Sequence, residues 1–175
     1  GVGGLVLATS EGFLGQYMAS RFSRSVSVIA GEGTAMERDY ESCSRLHYAD
    51  LDEAEMIGRK AGERTVRRLG ARKARTGPID VVLDPRVARG IAGHLSGAIN
   101  GASVARKTSF LREMMGKQVA NAAITVTDDP LKVRGQSSRP FDGEGVQGQP
   151  LVMLEQGVLQ HWFLSTSTAR ELGLT

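Results

Sequence analysis

Between Leu5 and about Tyr48, apolar and polar side chains alternate with a period close to two, as in extended chain with one covered face. Leu14, Gln16, Met18, Ser20, Phe22, Arg24, Val26 and Val28 fall on one side of a long run. Gly15, Tyr17, Ala19, Arg21, Ser23, Ser25, Ser27 and Ile29 fall on the other. Glu11-Gly12 and Gly31-Glu32-Gly33 supply turn chemistry, because glycine takes the positive φ that tight hairpins need. The pattern predicts three strands in an antiparallel meander.

The period then lengthens. Asp50 precedes Glu53 at capping-box spacing, and Ala54, Ile57, Ala61 and Leu69 recur at helical intervals until Gly70 supplies a stop. After Gly77-Pro78, the run Ile79-Asp80-Val81-Val82-Leu83 is short and β-branched, which predicts a strand covered on both faces. Asp84 and Pro85 form an N-cap and first-turn pair. The helix they open carries Val87, Ala88, Ile91, Ala92, Leu95, Ala98 and Ile99 on one stripe and runs to a left-handed cap at about Asn100-Gly101. A short helix is expected over 110–115 and a strand over 119–127, ended by Asp128-Asp129-Pro130. The glycine-rich loop 141–148 then leads into a hairpin of 151–155 and 158–164 about Gln156-Gly157, and a last helix begins at Thr168.

These elements make an α+β fold: an antiparallel β-meander followed by helices and a further mixed strand and hairpin layer. Residues 1–76 hold the meander and its helix, and 77–175 the strand-helix-strand-hairpin part. The chain opens on Gly1 rather than Met and breaks off just after a helix-like stretch, so it reads as a single fragment of a longer polypeptide.

Composition narrows the setting. No apolar run approaches the roughly 20 residues that a membrane helix requires. The single cysteine, Cys43, can form neither an internal disulfide nor a thiolate cluster, which points to a reducing cytoplasm and to a buried strand position for that residue. A net charge of +3 is too small to argue for nucleic acid by itself. Charge is nevertheless concentrated: Arg64, Arg67, Arg68, Arg72, Lys73 and Arg75 lie at and beyond the end of the first helix, without an aromatic residue to stack on bases. That cluster reads as a solvated or protein-contacting face, with nucleic-acid contact as the alternative.

Catalytic patterns are sparse. Helical zinc-protease chemistry uses two imidazoles on one face and a glutamate beside the first. Here His47 is followed by Tyr48, His94 by Leu95 and His161 by Trp162, so no His-Glu pair exists. Gly93-His94-Leu95-Ser96-Gly97 superficially suggests a nucleophile elbow, but Ser96 falls in mid-helix rather than at a strand-to-helix turn. His94 stands at the border of the apolar stripe as a structural imidazole. The glycine-rich loop lacks a Gly-Lys-Ser/Thr ending, and Asp128, Asp129, Asp142 and Glu144 fit turn-forming and capping roles better than a calcium loop. On the predicted helix from Pro85, Gly90, Gly93 and Gly97 gather in a narrow arc opposite the apolar stripe. Such a smooth face suits close approach by another backbone, either a strand of this chain or an extended peptide or partner element.

Several strings together carry a resemblance: Ala8-Thr-Ser-Glu-Gly-Phe13, Met36-Glu-Arg-Asp-Tyr40, Ala61-Gly-Glu-Arg-Thr-Val-Arg-Arg-Leu-Gly-Ala71, Lys107-Thr-Ser-Phe-Leu111, Asp128-Asp-Pro130 and Phe141-Asp-Gly-Glu-Gly-Val146. In this order the chain resembles the PmbA branch of the TldD/PmbA family. The resemblance implies a cytosolic subunit that pairs with a TldD-like protein to form a metal-dependent protease acting on peptide chains, in a family often labelled modulators of DNA gyrase. The TldD-like chain would carry His-Glu-x-x-x-His on a helix. With its second histidine registered on His94, this chain offers Arg89 and Gly90 in place of the first histidine and the glutamate. Arg89, Gly90, Gly93, His94 and Gly97 then form the counterpart of the zinc helix. No catalytic residue and no cofactor is expected in this chain, and zinc is expected only in the TldD-like partner. The alternative is a binding module associated with DNA gyrase or nucleic acid.

Overall fold

The computed structural model describes residues 1–174. The fold is α+β and divides into two compact units: Gly1–Pro78 with Lys132–Ser138, and Ile79–Leu131 with the chain from Arg139 onward.

Four strands build the first unit where the alternation predicts three: β1 (Val2–Ala8), β2 (Leu14–Ser20), β3 (Phe22–Ala30) and β4 (Glu37–Arg45). β1 pairs with β2 from Val2↔Ser20 to Ala8↔Leu14, and β3 with β4 from Phe22↔Arg45 to Ala30↔Glu37, both antiparallel. The long run 14–29 divides because one alternation cannot serve both sheets. In β2 the more covered positions are Gly15, Tyr17 and Ser20, whereas in β3 they are Phe22, Arg24, Val26, Val28 and Ala30, so the covered parity changes after Tyr17. Arg21 stands between the sheets, its N–H donating to Gly1 O at 2.8 Å and its guanidinium to Gln136 O at 3.0 Å.

Helix α1 (Ala54–Arg68) packs on β3 and β4. Cys43, Leu51 and Ile57 form a core with Phe22 and Val26, so Cys43 is the buried strand residue expected. Asp50 does not cap α1. Its carboxylate accepts two bonds from Arg134 Nη1, at 2.8 and 2.9 Å, and the N-cap is Glu53, without a side-chain bond. Gly70, at φ +68°, follows the helix end as predicted.

In the second unit, residues 79–83 form no strand. Val82 is 98% exposed, because the covered-strand pattern is satisfied only by a neighbouring strand, and none among the described residues pairs here. Helix α2 (Pro85–Ala98) starts as predicted, with Asp84 accepting from Arg86 N at 2.9 Å. Its end differs. Asn100 is not a left-handed cap but the N-cap of α3 (Gly101–Ala105), its side chain accepting from Ala102 N at 3.0 Å.

Residues 110–115 make turns rather than a helix. The strand expected over 119–127 shrinks to β5 (Val126–Asp128), because the chain before it wraps the hairpin tip. Val119 N and Ala120 N donate to Gly157 O, and Gly157 N donates to Ile124 O at 2.7 Å. β5, β6 (Leu151–Glu155) and β7 (Val158–Leu159) form a three-stranded antiparallel sheet. β7 is shorter than its predicted 158–164, since Phe163 N turns away to donate to Ile99 O at 2.9 Å. Helix α4 (Thr166–Glu171) opens two residues before the predicted Thr168, in a capping box between Ser165 and Thr168. Ala98, Ile99, Leu111, Met153, Leu154 and Leu159 form this unit's core.

Candidate functional site along helix α2

Helix α2 is held at both ends, by the Asp84 cap and by Ala98 and Ile99 in the core. Between them its apolar stripe is one wall of a groove of about 470 Å³, to which Ala88, Ile91, Ala92 and Leu95 contribute. Phe110 and Leu111, the turn from Val119 to Ile124, and Val126 with Leu154 form the rest. His94 is the one titratable side chain in the lining, at the border position that the helical wheel gives it.

The other residues of the predicted zinc-helix counterpart lie elsewhere on α2. Arg89, Gly90, Gly93 and Gly97 are exposed, and a Cβ built on any of the three glycines meets nothing within 4 Å. The expected close approach by a strand of this chain is therefore corrected: open space faces the glycine arc. Ser96 is exposed in mid-helix. His94 and His161 are both exposed, and His161 donates through Nδ1 to Val152 O at 2.8 Å. Among the described residues no group of three or more His, Cys, Asp or Glu side chains could hold a metal ion.

The acidic candidates near the glycine-rich loop are engaged with backbone. Asp142 accepts from Glu144 N and Val146 N, each at 2.9 Å, and Glu144 accepts from Thr166 N at 2.8 Å. These bonds shape the loop and the entry to α4.

The basic cluster divides in two. Arg64 pairs with Glu41, and Arg68 with Glu37 at 3.3 Å and with the buried Asp39 at 3.7 Å. Arg67, Arg72, Lys73 and Arg75 are exposed, the last three in irregular chain beyond α1. Arg64→Ala is expected to lower stability by about 1–2 kcal/mol, since it removes a charge-assisted bond between two partly covered groups. Arg67→Glu should stay within about 0.5 kcal/mol of the parent. Urea unfolding of the two variants checks the division, and equal losses would contradict it.

Sequence patterns missed the far wall of the groove. Phe110 and Ile124 lie on turns where a helix and a strand were expected. Asn121 was the available local signal: its side chain accepts from Ala123 N at 2.9 Å, a bond that competes with an extended strand.

No described helix is long and apolar enough to cross a membrane. Residues 2–69 match the PmbA/TldA metallopeptidase central domain, and residues 76–175 the PmbA/TldA metallopeptidase C-terminal domain. The chain is 40% identical over 97% of its length to a protein named metalloprotease PmbA from Escherichia coli, spanning 38% of that relative. It is similar to the crystal structure of a proposed modulator of DNA gyrase from Bacteroides thetaiotaomicron. The TM-score is 0.90 at 32% identity, over 95% of this chain and 38% of the other. Its fold is also that of TldE from Thermococcus kodakarensis, with a TM-score of 0.73 at 20% identity, over 94% of this chain and 37% of that one.

Proposed function

The chain belongs to the PmbA/TldA metallopeptidase family, and we propose that it is part of a PmbA-like subunit which holds no zinc itself. It works with a TldD-like chain in a cytosolic metalloprotease assembly acting on peptides or proteins. The observation that carries this reading is the donor chemistry of α2. A helical zinc site of the His-Glu-x-x-x-His kind needs two imidazoles to hold the ion and a carboxylate to accept a proton from bound water. α2 has one imidazole, His94, with Arg89 and Gly90 at the registered positions of the other two groups. A guanidinium repels a dication and a glycine offers no side-chain donor, so these residues do not fit zinc.

The test is to purify the full-length protein alone and together with a TldD-like partner from its own cell, then measure zinc and peptide hydrolysis for each. The expected result is neither tightly bound zinc nor hydrolysis in the isolated protein, with both appearing in the pair. About one tightly held zinc per isolated chain, lost on His94→Ala, would overturn the reading. The gyrase- or DNA-associated alternative would gain from DNA binding that fades steeply with salt and is lost on Arg67→Glu with Arg72→Glu.

A further inference from the structure

We propose that Lys60, Arg67, Arg72, Lys73 and Arg75 form a docking surface for acidic stretches of extended peptide chain. The inference rests on the peptide-directed reading above and adds a substrate class to it. Its basis is a contrast within one element. α1 commits Arg64 and Arg68 to Glu41, Glu37 and Asp39 on β4, and Arg59 to Glu55. Lys60 and Arg67 lie two turns apart on its exposed side, and neither has a carboxylate partner among the described residues. Arg72, Lys73 and Arg75 continue the positive run, likewise unpaired, in exposed chain that forms neither helix nor strand. No Asp or Glu stands between Glu63 and Asp80, so the segment cannot neutralise itself.

All five cations belong to the first unit. Like charges gathered in one short segment repel one another and concentrate anions around them. An acidic peptide would replace those small ions with carboxylates that repeat at about 7 Å along one face of an extended chain. Single-stranded nucleic acid fits less well, because no aromatic side chain that could stack on bases occurs from Ala49 to Ser109. Duplex DNA is read by a helix or a ribbon placed in a groove, and the chain that carries Arg72, Lys73 and Arg75 is neither. Charge complementarity without base-reading chemistry points to carboxylates on a peptide.

The test is fluorescence anisotropy of the full-length protein with a labelled peptide of alternating Glu and Ser, at about 0.01 M salt, where charges act over about 30 Å. Binding is expected there, weakened about 10-fold or more at about 0.1 M salt, with none for a peptide of alternating Lys and Ser. Arg67→Gln, Arg72→Gln, Lys73→Gln and Arg75→Gln together should raise the dissociation constant about 10-fold or more. Arg38→Gln, Lys107→Gln, Lys117→Gln and Lys132→Gln, which remove the same charge from other exposed positions, should raise it about 3-fold or less. Unfolding midpoints within about 2 °C of the parent check that both variants fold, and the comparison of the two peptides on the parent decides the matter if one does not. No binding of the Glu peptide, or equal losses in the two variants, would overturn the proposal. So would tighter binding of duplex DNA, which assigns the segment to nucleic acid. Neither zinc nor hydrolysis enters the readout, so the inference and the reading it rests on fail separately.

Discussion

Gly157→Val is expected to destabilise the chain by about 3–5 kcal/mol in urea unfolding, close to the upper end for a single substitution. Gln156 and Gly157 form the two-residue turn between β6 and β7, with φ +47° and +78°, the left-handed pair that matches strand twist. Valine is strained at such a φ. A Cβ at this site would also lie 2.8 Å from the Ala120 carbonyl carbon, and closer still to Ala120 O and Gln118 Nε2. Backbone cannot yield there cheaply, because Gly157 O accepts from Val119 N and Ala120 N and Gly157 N donates to Ile124 O. These bonds fasten the turn that walls the groove, so the variant should expose the groove as well as lose stability. Gln156→Asn, which suits a left-handed φ better, should instead gain about 0.5 kcal/mol. A valine variant as stable as the parent would show that the 118–124 turn is not fastened at Gly157.

Gly101→Ala is expected to cost about 2–4 kcal/mol, although alanine is the better helix former. Gly101 N donates to Phe163 O at 2.7 Å, and an added Cβ would stand 2.8 Å from that oxygen, 2.7 Å from Thr168 Oγ1 and 2.9 Å from Leu164 Cδ2. Here α3 meets the segment that leads into α4. Gly93→Ala, in open space on α2, should stabilise the same chain by up to about 1 kcal/mol. Opposite signs from one chemical change separate a glycine required by close approach from one that is merely tolerated. If both variants lose stability alike, that distinction is wrong.

These two glycines show where sequence was informative. Asp84-Pro85, Gly70 and Gln156-Gly157 are local signals whose meaning depends on a few neighbours, and the structure places each as predicted. A narrow glycine arc on a helical wheel reports only which residues share a face. Whether another backbone lies there depends on distant chain, so close approach fell at Gly101 instead of Gly93. The run Ile79–Leu83 failed for a related reason, since β-branched residues state a preference that only a pairing strand can realise.

The site was legible as far as His94 at the edge of the apolar stripe. Its groove was not, because Phe110, Ile124 and Leu154 are brought to α2 by tertiary contacts. The pairing within the basic cluster could have been anticipated from two periodicities. Arg64 and Arg68 are one turn apart on α1, while Glu37, Asp39 and Glu41 share one face of β4 at alternate positions. What the sequence lacks is the placement of helix on strand that brings those faces together.

The return of Lys132–Ser138 to the first unit has a consequence for synthesis. Arg134 holds Asp50 and Gln136 holds Ser44 O, so the first unit contains contacts between residues more than 80 positions apart. A ribosome that has just released Pro78 has delivered α1 and all four strands of that unit, yet not its last segment. At about 5–20 residues per second, Ser138 follows several seconds later, after most of the second unit's chain has emerged. The first unit must wait in an unfinished state over that interval. Slow codons between 79 and 131 would lengthen its exposure to proteases and chaperones without changing a single residue.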